Sequence, residues 1–470
     1  MDYMPQPTKD NLRMLVLWWI VLCGVLLWTQ WRSKRAMGLP IAYVGGLSMI
    51  HLTGAFAYCM QFYEPRSPYL LQGGFGLLNT FTGFYVSVIG LACFVAGCLV
   101  CPMVFWKPRP KVLTYPAVQV TSRLPGSLLL ISVLFYFFLR PVLNRVPSLA
   151  SIGSAGSYLS VVAVTFFLRE TYRKQQTRKF LWWLVRTTIF PAVTVVSMGF
   201  AGFGILAALT IWALTVHFYR PRWLSISVVL LAVYLGLSLY VNYMRERDAI
   251  RESVWKEGSL ESRVDRTLKM FSHFELFDPY NQVHLEMIDV RLNQNDLVGK
   301  AVYYIQSNRV EEARGGTLYA AALSVVPRIL WPGKPATGGS GSLVARFTGI
   351  KVAEGTSMGV GQVLEFYVNW KMSSVIIGFF VFGFAMRYFD MISSDYLGHG
   401  DMWNCARWLL PGMGMLIAGG SMAEVVGSVA GNAVFMFLLH HFLFARYYEP
   451  DNILLRRSGA RSSRVPRGIR

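Results

Sequence analysis

The sequence predicts an all-α polytopic membrane protein with about 11 transmembrane helices and a large, partly helical outer-face loop. Three observations carry that prediction. Apolar runs of about 20 residues, the length a spanning helix needs, recur along the chain. Charged residues make up 15% of a 470-residue chain that is 54% hydrophobic, against roughly 25% charged in soluble domains. Basic residues also separate onto alternate loops, as the positive-inside rule requires.

Candidate spans lie at 13–31, 41–61, 80–104, 124–141, 148–168, 180–197, 200–219, 223–243, 372–391, 403–420 and 428–446. The fourth is short. The sixth and seventh must turn within MGFAGFG, where Gly199, Gly202 and Gly204 supply either that turn or small-residue contacts between helices. With this arrangement Lys34, Arg35, Lys107, Arg109, Arg173, Lys174 and the arginines from Arg446 onward share one side. The short segments of the other side hold only Lys9, Arg13, Arg66, Arg140 and Arg145. The richer side is expected to be cytoplasmic, with the N-terminus outside and the C-terminus inside. The chain then divides into an N-terminal bundle (1–243), an outer loop (244–371), C-terminal spans (372–446) and a basic cytoplasmic tail (447–470) drawn to anionic lipid.

The net charge of +20 belongs to that pattern, and no nucleic-acid motif accompanies it. All six cysteines fall in or beside apolar segments, so Cys98 and Cys101 read as packing thiols although they form a C-x-x-C. MDYMPQPTKDNLRM lacks the charged-then-apolar pattern of a cleaved signal, so the first apolar run is expected to stay as a span.

The outer loop carries its own patterns. In SLESRVDRTLKMFSHFELF, Leu260, Val264, Leu268, Phe271, Phe274 and Phe277 recur at helical spacing behind a possible Ser259 cap. Asp278-Pro279 resembles a helix start, with Val283 and Met287 on the apolar face that follows. From Arg314 to Lys351 the chain holds Arg314, Arg328, Lys334, Arg346 and Lys351 and no acidic residue. Within it lies VPRILWPGKP (326–335). Pro332-Gly333 suits the centre of a type II turn, which brings Trp331 and Lys334 together, while Pro327 and Pro335 stiffen the flanks. Ile329, Leu330 and Trp331 suit the membrane boundary, and Arg328 and Lys334 there suit phosphate oxygens. The same features also suit a plain anchor against anionic headgroups.

GGTLYAAALSVVPRILWPGKP (315–335) and GTSMGVGQVLEFYVNWKMSSVIIGFFVFG (355–383) together resemble Wzy-type O-antigen polymerases and related oligosaccharide repeat-unit polymerases. In that family a Pro-Arg, a Trp-Pro-x-Lys-Pro and a Gly-x-x-x-Glu lead from an outer loop into a span. Here these are Pro327-Arg328, Trp331 to Pro335, and Gly361 with Glu365. The resemblance implies a glycosyltransferase on the outer face of the bacterial cytoplasmic membrane. It would move a glycan from undecaprenyl pyrophosphate to a lipid-linked repeat unit, alongside a flippase and a chain-length regulator.

Negative charge grows on the bridging oxygen as the lipid pyrophosphate leaves, so preorganised cations there favour the transition state. Arg328 is the first candidate, followed by Lys334 and Arg314, with Trp331 beside the ligand. Glu365 is the candidate base, or a partner for those cations. His273 and His284 read as surface or packing residues, and Asp278 as a cap. Glu424, in GGSMAEVVGS, is a further candidate for the cavity. No metal is expected: the first outer loop has only Glu64, and Glu246 and Asp248 are flanked by arginines in RERD. No cofactor is expected. Arg140 and Arg186 are expected to reach the interfaces from within spans. The competing readings are an O-antigen-ligase-like transferase, a transporter of lipid-linked saccharide, and a non-catalytic assembly scaffold.

Overall fold

The computed structural model describes residues 6–105, 118–143, 150–198, 202–219, 222–255, 274–326, 331, 333, 340–350 and 358–444. Helices dominate, and no strand occurs among these residues. The first half comprises α1 (Lys9–Arg32), α2 (Leu39–Cys59), the short α3 (Pro68–Gln72), α4 (Leu77–Val104), and α5 (Val118–Leu134), which continues through a π turn into α6 (Arg140–Leu143). After these come α7 (Ala150–Arg173), α8 (Thr177–Arg186), α9 (Ile189–Met198), α10 (Gly202–Phe218) and α11 (Arg222–Trp255). The second half comprises α12 (Gln282–Leu292), α13 (Gln294–Gln306), α14 (Gly316–Ser324), α15 (Ser340–Thr348), α16 (Gln362–Gly398), α17 (Met402–Met413) and α18 (Met422–Leu439).

Among the described residues eight helical segments are long and apolar enough to cross a membrane, against the eleven spans expected. The other three predicted spans correspond to α7, to the 17-residue α10 and to the 12-residue α17. The sixth predicted span is two helices, α8 and α9, hinged at Thr187 and Thr188, with the Arg186 guanidinium over the Trp182 and Trp183 rings. The cysteines of the described residues are free thiols, and Cys98 points its Sγ at the Gly383 carbonyl.

The segment 244–371 departs from the expected outer cap in four places. α11 does not stop at residue 243 but runs to Trp255, since no proline or glycine interrupts YMRERDAIRESVW. Of the predicted helix over 260–277, residues 260–273 lie outside the described residues, and 274–277 are not helical. They are pinned along α11 instead: Phe277 N donates to Ser238 Oγ (2.9 Å), and Glu275 exchanges backbone bonds with the Asn242 amide. The cap of α12 is Asn281, whose Oδ1 accepts from Val283 N at 2.9 Å, whereas Asp278 closes a turn on Tyr280 N.

The fourth departure is the largest, because α12 and α13 form a hairpin inserted between α2 and α4. α12 descends along α2: Gln282 bonds the Glu64 carbonyl and Asp289 accepts the Tyr58 hydroxyl, and just past the turn Asn295 of α13 bonds the His51 carbonyl. His51 lies about 12 Å below the end of α2 at the helical rise per residue. α13 climbs back along α4, with Gly83 against the Asn295 backbone and Gly299 against the Asn79 backbone. Missing side chains at these glycines are what let the backbones touch.

A second hairpin closes beside it. α16 breaks at Trp370 (φ −145°, ψ 44°) and Lys371 (φ 50°, ψ −137°), so residues 362–369 fold back on the long span that begins at 372. Gly378 faces the Phe366 ring, which packs edge-on against Phe379 at 5.3 Å. The deep end is Gln362, whose Oε1 accepts from Tyr43 OH (3.1 Å) in the first half of α2. α14 descends alongside, tied at its top by Gly315 N to Asn369 Oδ1 (2.9 Å) and at its bottom by Ser324 Oγ to the Ala423 carbonyl (3.1 Å).

The opposite face is locked by Asp390. Its Oδ1 accepts from the backbone N–H groups of Met37, Gly38 and Leu39 at 3.0, 2.8 and 2.9 Å, capping α2 from 350 residues away in sequence. Its Oδ2 pairs with Arg387, which also holds Gln30 and Ser33. Asp390→Ala should leave the buried Arg387 charge uncompensated and cost about 3–5 kcal/mol, read as a lowered Tm in detergent. An unchanged Tm would contradict the lock.

Candidate functional site

Three interruptions of helix meet inside the bundle: Asn293 between α12 and α13, residues 358–361 before α16, and residues 417–421 between α17 and α18. Gly46, in the first half of α2, faces Leu416 and Ala418, so this junction is far from the Cys59 end of α2. Gly361 takes φ +68° and donates its N–H to the Gly419 carbonyl at 3.0 Å. A Cβ there would also strike Gln294 Oε1, so only glycine fits. Gln362 Nε2 bonds the carbonyls of Ile417 (2.7 Å) and Gly420 (2.8 Å). Irregular backbone at such depth persists only where protein or a water-filled cavity satisfies it.

The N-terminus of α18 opens onto this junction and collects two carboxylates. Ser421 and Glu424 form a reciprocal capping box, each side chain accepting the other's backbone N–H at 3.2 Å. Glu365 Oε2 accepts Met422 N at 2.6 Å. Both carboxylates therefore sit on the positive end of the α18 dipole. They differ in access: Glu365 is 1% exposed, whereas Glu424 is an exposed residue whose Oε1 accepts the Ser340 hydroxyl at 2.5 Å. One helical turn above Glu365, Asn369 Nδ2 bonds Thr317 Oγ1 at 2.8 Å and fixes α14 to α16.

Arg328 and Lys334 lie outside the described residues. Their described flanks are held at one place: Ser324 on Ala423 and Ser340 on Glu424. Trp331 is 39% exposed. Arg314 is exposed at the top turn, in the left-handed region at φ 46°, where Gly315 N anchors to Asn369. It is thus a rim residue, above the level of Glu365. His284 is buried, with Nδ1 accepting from Asp278 N, which fits its packing assignment. The sequence reading missed Gln362, Thr317, Asn369 and Ser421. Of these only Ser421 left a local signal, the S-x-x-E of a capping box.

Residues 81–448 match DUF8712, a domain of unknown function. The chain belongs to the DUF8712 family. No curated protein and no solved structure matches it. The DUF8712 region takes in α12 to α18, hence both hairpins, Glu365 and Glu424, whereas α1, α2 and their contributions Tyr43, His51 and Tyr58 precede it.

Proposed function

We propose that this DUF8712 protein is a polysaccharide polymerase that transfers a glycan from undecaprenyl pyrophosphate to a lipid-linked repeat unit on the outer face of the bacterial cytoplasmic membrane. The observation that supports it is convergence. The two stretches that resemble repeat-unit polymerases, 315–335 and 355–383, meet at the start of α18: Ser324 of the first and Glu365 of the second bond its first residues, as does Ser340 from the chain between them. An acceptor hydroxyl attacks the anomeric carbon, the new C–O bond forms as the bond to phosphate breaks, and the electron pair leaves on the pyrophosphate. Glu424, the accessible carboxylate, takes the hydroxyl proton, and Glu365 holds the helix end in place. Arg328, with Lys334 and Arg314, meets the departing pyrophosphate.

Purified protein given lipid-linked repeat units alone should yield a ladder of polymer. Arg328→Ala should slow that ladder by about a hundredfold, the usual cost of one donor to a developing anion. A folded variant working at full rate would sink the assignment. Product formed only with a second acceptor, such as lipid A core, points to a ligase.

The helices interrupted inside the bundle favour a second reading, a transporter of lipid-linked saccharide, because discontinuous helices line many substrate paths. Saccharide crossing a vesicle membrane with no new glycosidic bond would decide for it.

A further inference from the structure

The α12–α13 hairpin carries an arginine down with it. Arg291 stands on α12 well past Gln282, the residue tied to the rim, and lies roughly 13 Å deeper at the helical rise per residue. Its Nε is buried without a hydrogen-bond partner, and among the described residues no carboxylate pairs with the guanidinium. The carboxylates of the surrounding elements are engaged elsewhere. Asp289 accepts the Tyr58 and Tyr63 hydroxyls, and Asp296 pairs with Lys300. Glu286 accepts the N–H groups of Arg66 and Ser67, and Glu275 pairs with Arg245 and His284. A charged side chain at such depth normally has a partner.

The side chain is turned toward α11. Glu275 sets the height of that helix against α12, because its backbone bonds the Asn242 amide and its carboxylate reaches His284 Nε2 at 3.4 Å. Two turns deeper on each helix stand Arg291 and, opposite it, Leu235 and Gly236. Gly236 and Tyr240 are one turn apart on the same face of α11. The Tyr240 hydroxyl is buried with no hydrogen-bond partner, and the guanidinium groups of Arg291 and Arg247 both act on it. A Cβ at Gly236 would meet nothing within 4 Å, so this face is open just below Tyr240.

That opening continues downward. Ser238, Val241, Asn242 and Tyr243 are buried, whereas none of the described side chains from 223 to 237 is. Leu230, Leu231, Val233, Tyr234 and Leu235 are exposed. The C-terminal half of α11 therefore packs on the bundle while the N-terminal half stands clear. What results is a crevice with apolar walls below and two unsatisfied donors, a guanidinium and a phenol, at its head.

We propose that this crevice holds an anionic phospholipid of the bilayer, its phosphodiester between the Arg291 guanidinium and the Tyr240 hydroxyl and its acyl chains along α11 below Gly236. Phosphate oxygens only accept hydrogen bonds, and arginine grips them in bidentate fashion. The charges match one to one, since a phosphodiester carries a single negative charge. A choline headgroup would set a further cation beside Arg247, whereas the glycerol of phosphatidylglycerol adds none. Undecaprenyl pyrophosphate brings more negative charge than one guanidinium offsets. The site is thus separate from the α18 terminus, and it stands whether or not the protein is a polymerase. Bound lipid ties α11 to α12 where no side chain does.

The test is thermal unfolding of the purified full-length protein in detergent, with phosphatidylglycerol, phosphatidylcholine or undecaprenyl pyrophosphate added. Phosphatidylglycerol should raise Tm by several degrees, increasing with concentration as mass action requires, and phosphatidylcholine should do much less. Arg291→Gln removes the charge and Gly236→Leu fills the space, so each should abolish the rise. Tyr240→Phe should weaken the response about tenfold in lipid concentration, the loss of one hydrogen bond to a charged group. Arg66→Gln, which removes an exposed charge at the rim, should preserve it. Without added lipid, Arg291→Gln should be at least as stable as the parent, because a buried charge lacking a partner is costly. A lower Tm there would mean that the guanidinium has a partner within the protein, and overturns the proposal. Equal responses to the two phospholipids, a response to undecaprenyl pyrophosphate alone, or a phosphatidylglycerol response that survives in Arg291→Gln overturns it as well.

Discussion

Glu424→Gln should reduce polymer formation by about a hundredfold to ten-thousandfold, the range for a lost general base, while leaving the fold intact. The argument rests on the capping box. A glutamine at that position still accepts the Ser421 N–H, so the start of α18 keeps its cap and only the basicity of the side chain is lost. Glu365→Gln is the matched control. Its amide oxygen still accepts Met422 N–H, and the buried position keeps it from substrate, so activity should fall by less than tenfold, roughly the net worth of one hydrogen bond. Rate measurements on the two variants with lipid-linked repeat units decide the roles. Severe loss in Glu365→Gln with little loss in Glu424→Gln would reverse them.

Gly299→Val should unseat the α12–α13 hairpin. A Cβ at Gly299 collides with the Asn79 carbonyl, and one at Gly83 collides with the Asn295 carbonyl, both backbone atoms that no rotamer change can move. Overpacking of ordinary cores costs about 1–3 kcal/mol where side chains can shift. With backbone on both sides the cost should exceed about 4 kcal/mol, a range reached only by specific structural failures. Proteolysis between residues 282 and 306 should then appear in Gly299→Val and not in the parent protein. Gly236→Val makes a fair control, because nothing lies near that glycine.

Hydropathy alone located the helices, since a membrane span is the one element whose length and composition are both fixed by its solvent. It failed on α12 and α13 for an equally physical reason. Val283 and Met287 mark a short amphipathic helix, but the polar Asp289, Asn293, Asn295 and Asp296 leave the rest of QVHLEMIDVRLNQNDLVGKAVYYIQ looking like part of the outer loop. Their partners Tyr58, Thr80 and His51 sit more than two hundred residues earlier, and no local pattern reports such pairings. A hint was present from the other side: His51, Thr80 and Ser87 are polar residues within spans and needed something polar to face. The same applies to α16. Its hydrophobic run was legible from residue 372, but the break at Trp370 and Lys371 adds a folded-back piece that composition does not distinguish from loop. Of the site residues, Glu365 was found by resemblance and Glu424 by its position between spans. The difference in their accessibility depends on the packing of α14 and α16 and had no sequence signature.

The kink at Trp370 and Lys371 has a bearing on how the protein's sidedness is mapped. A segment that enters and leaves through the same leaflet changes no parity, so reporter fusions placed at Asn308 and at Lys371 must give the same compartment, and enzyme-fusion assays will pass over both insertions. Thiol-labelling at Gln294 or Gln362, with reagents too polar for lipid, is the approach that registers them: modification there marks a water path that reaches these buried turns.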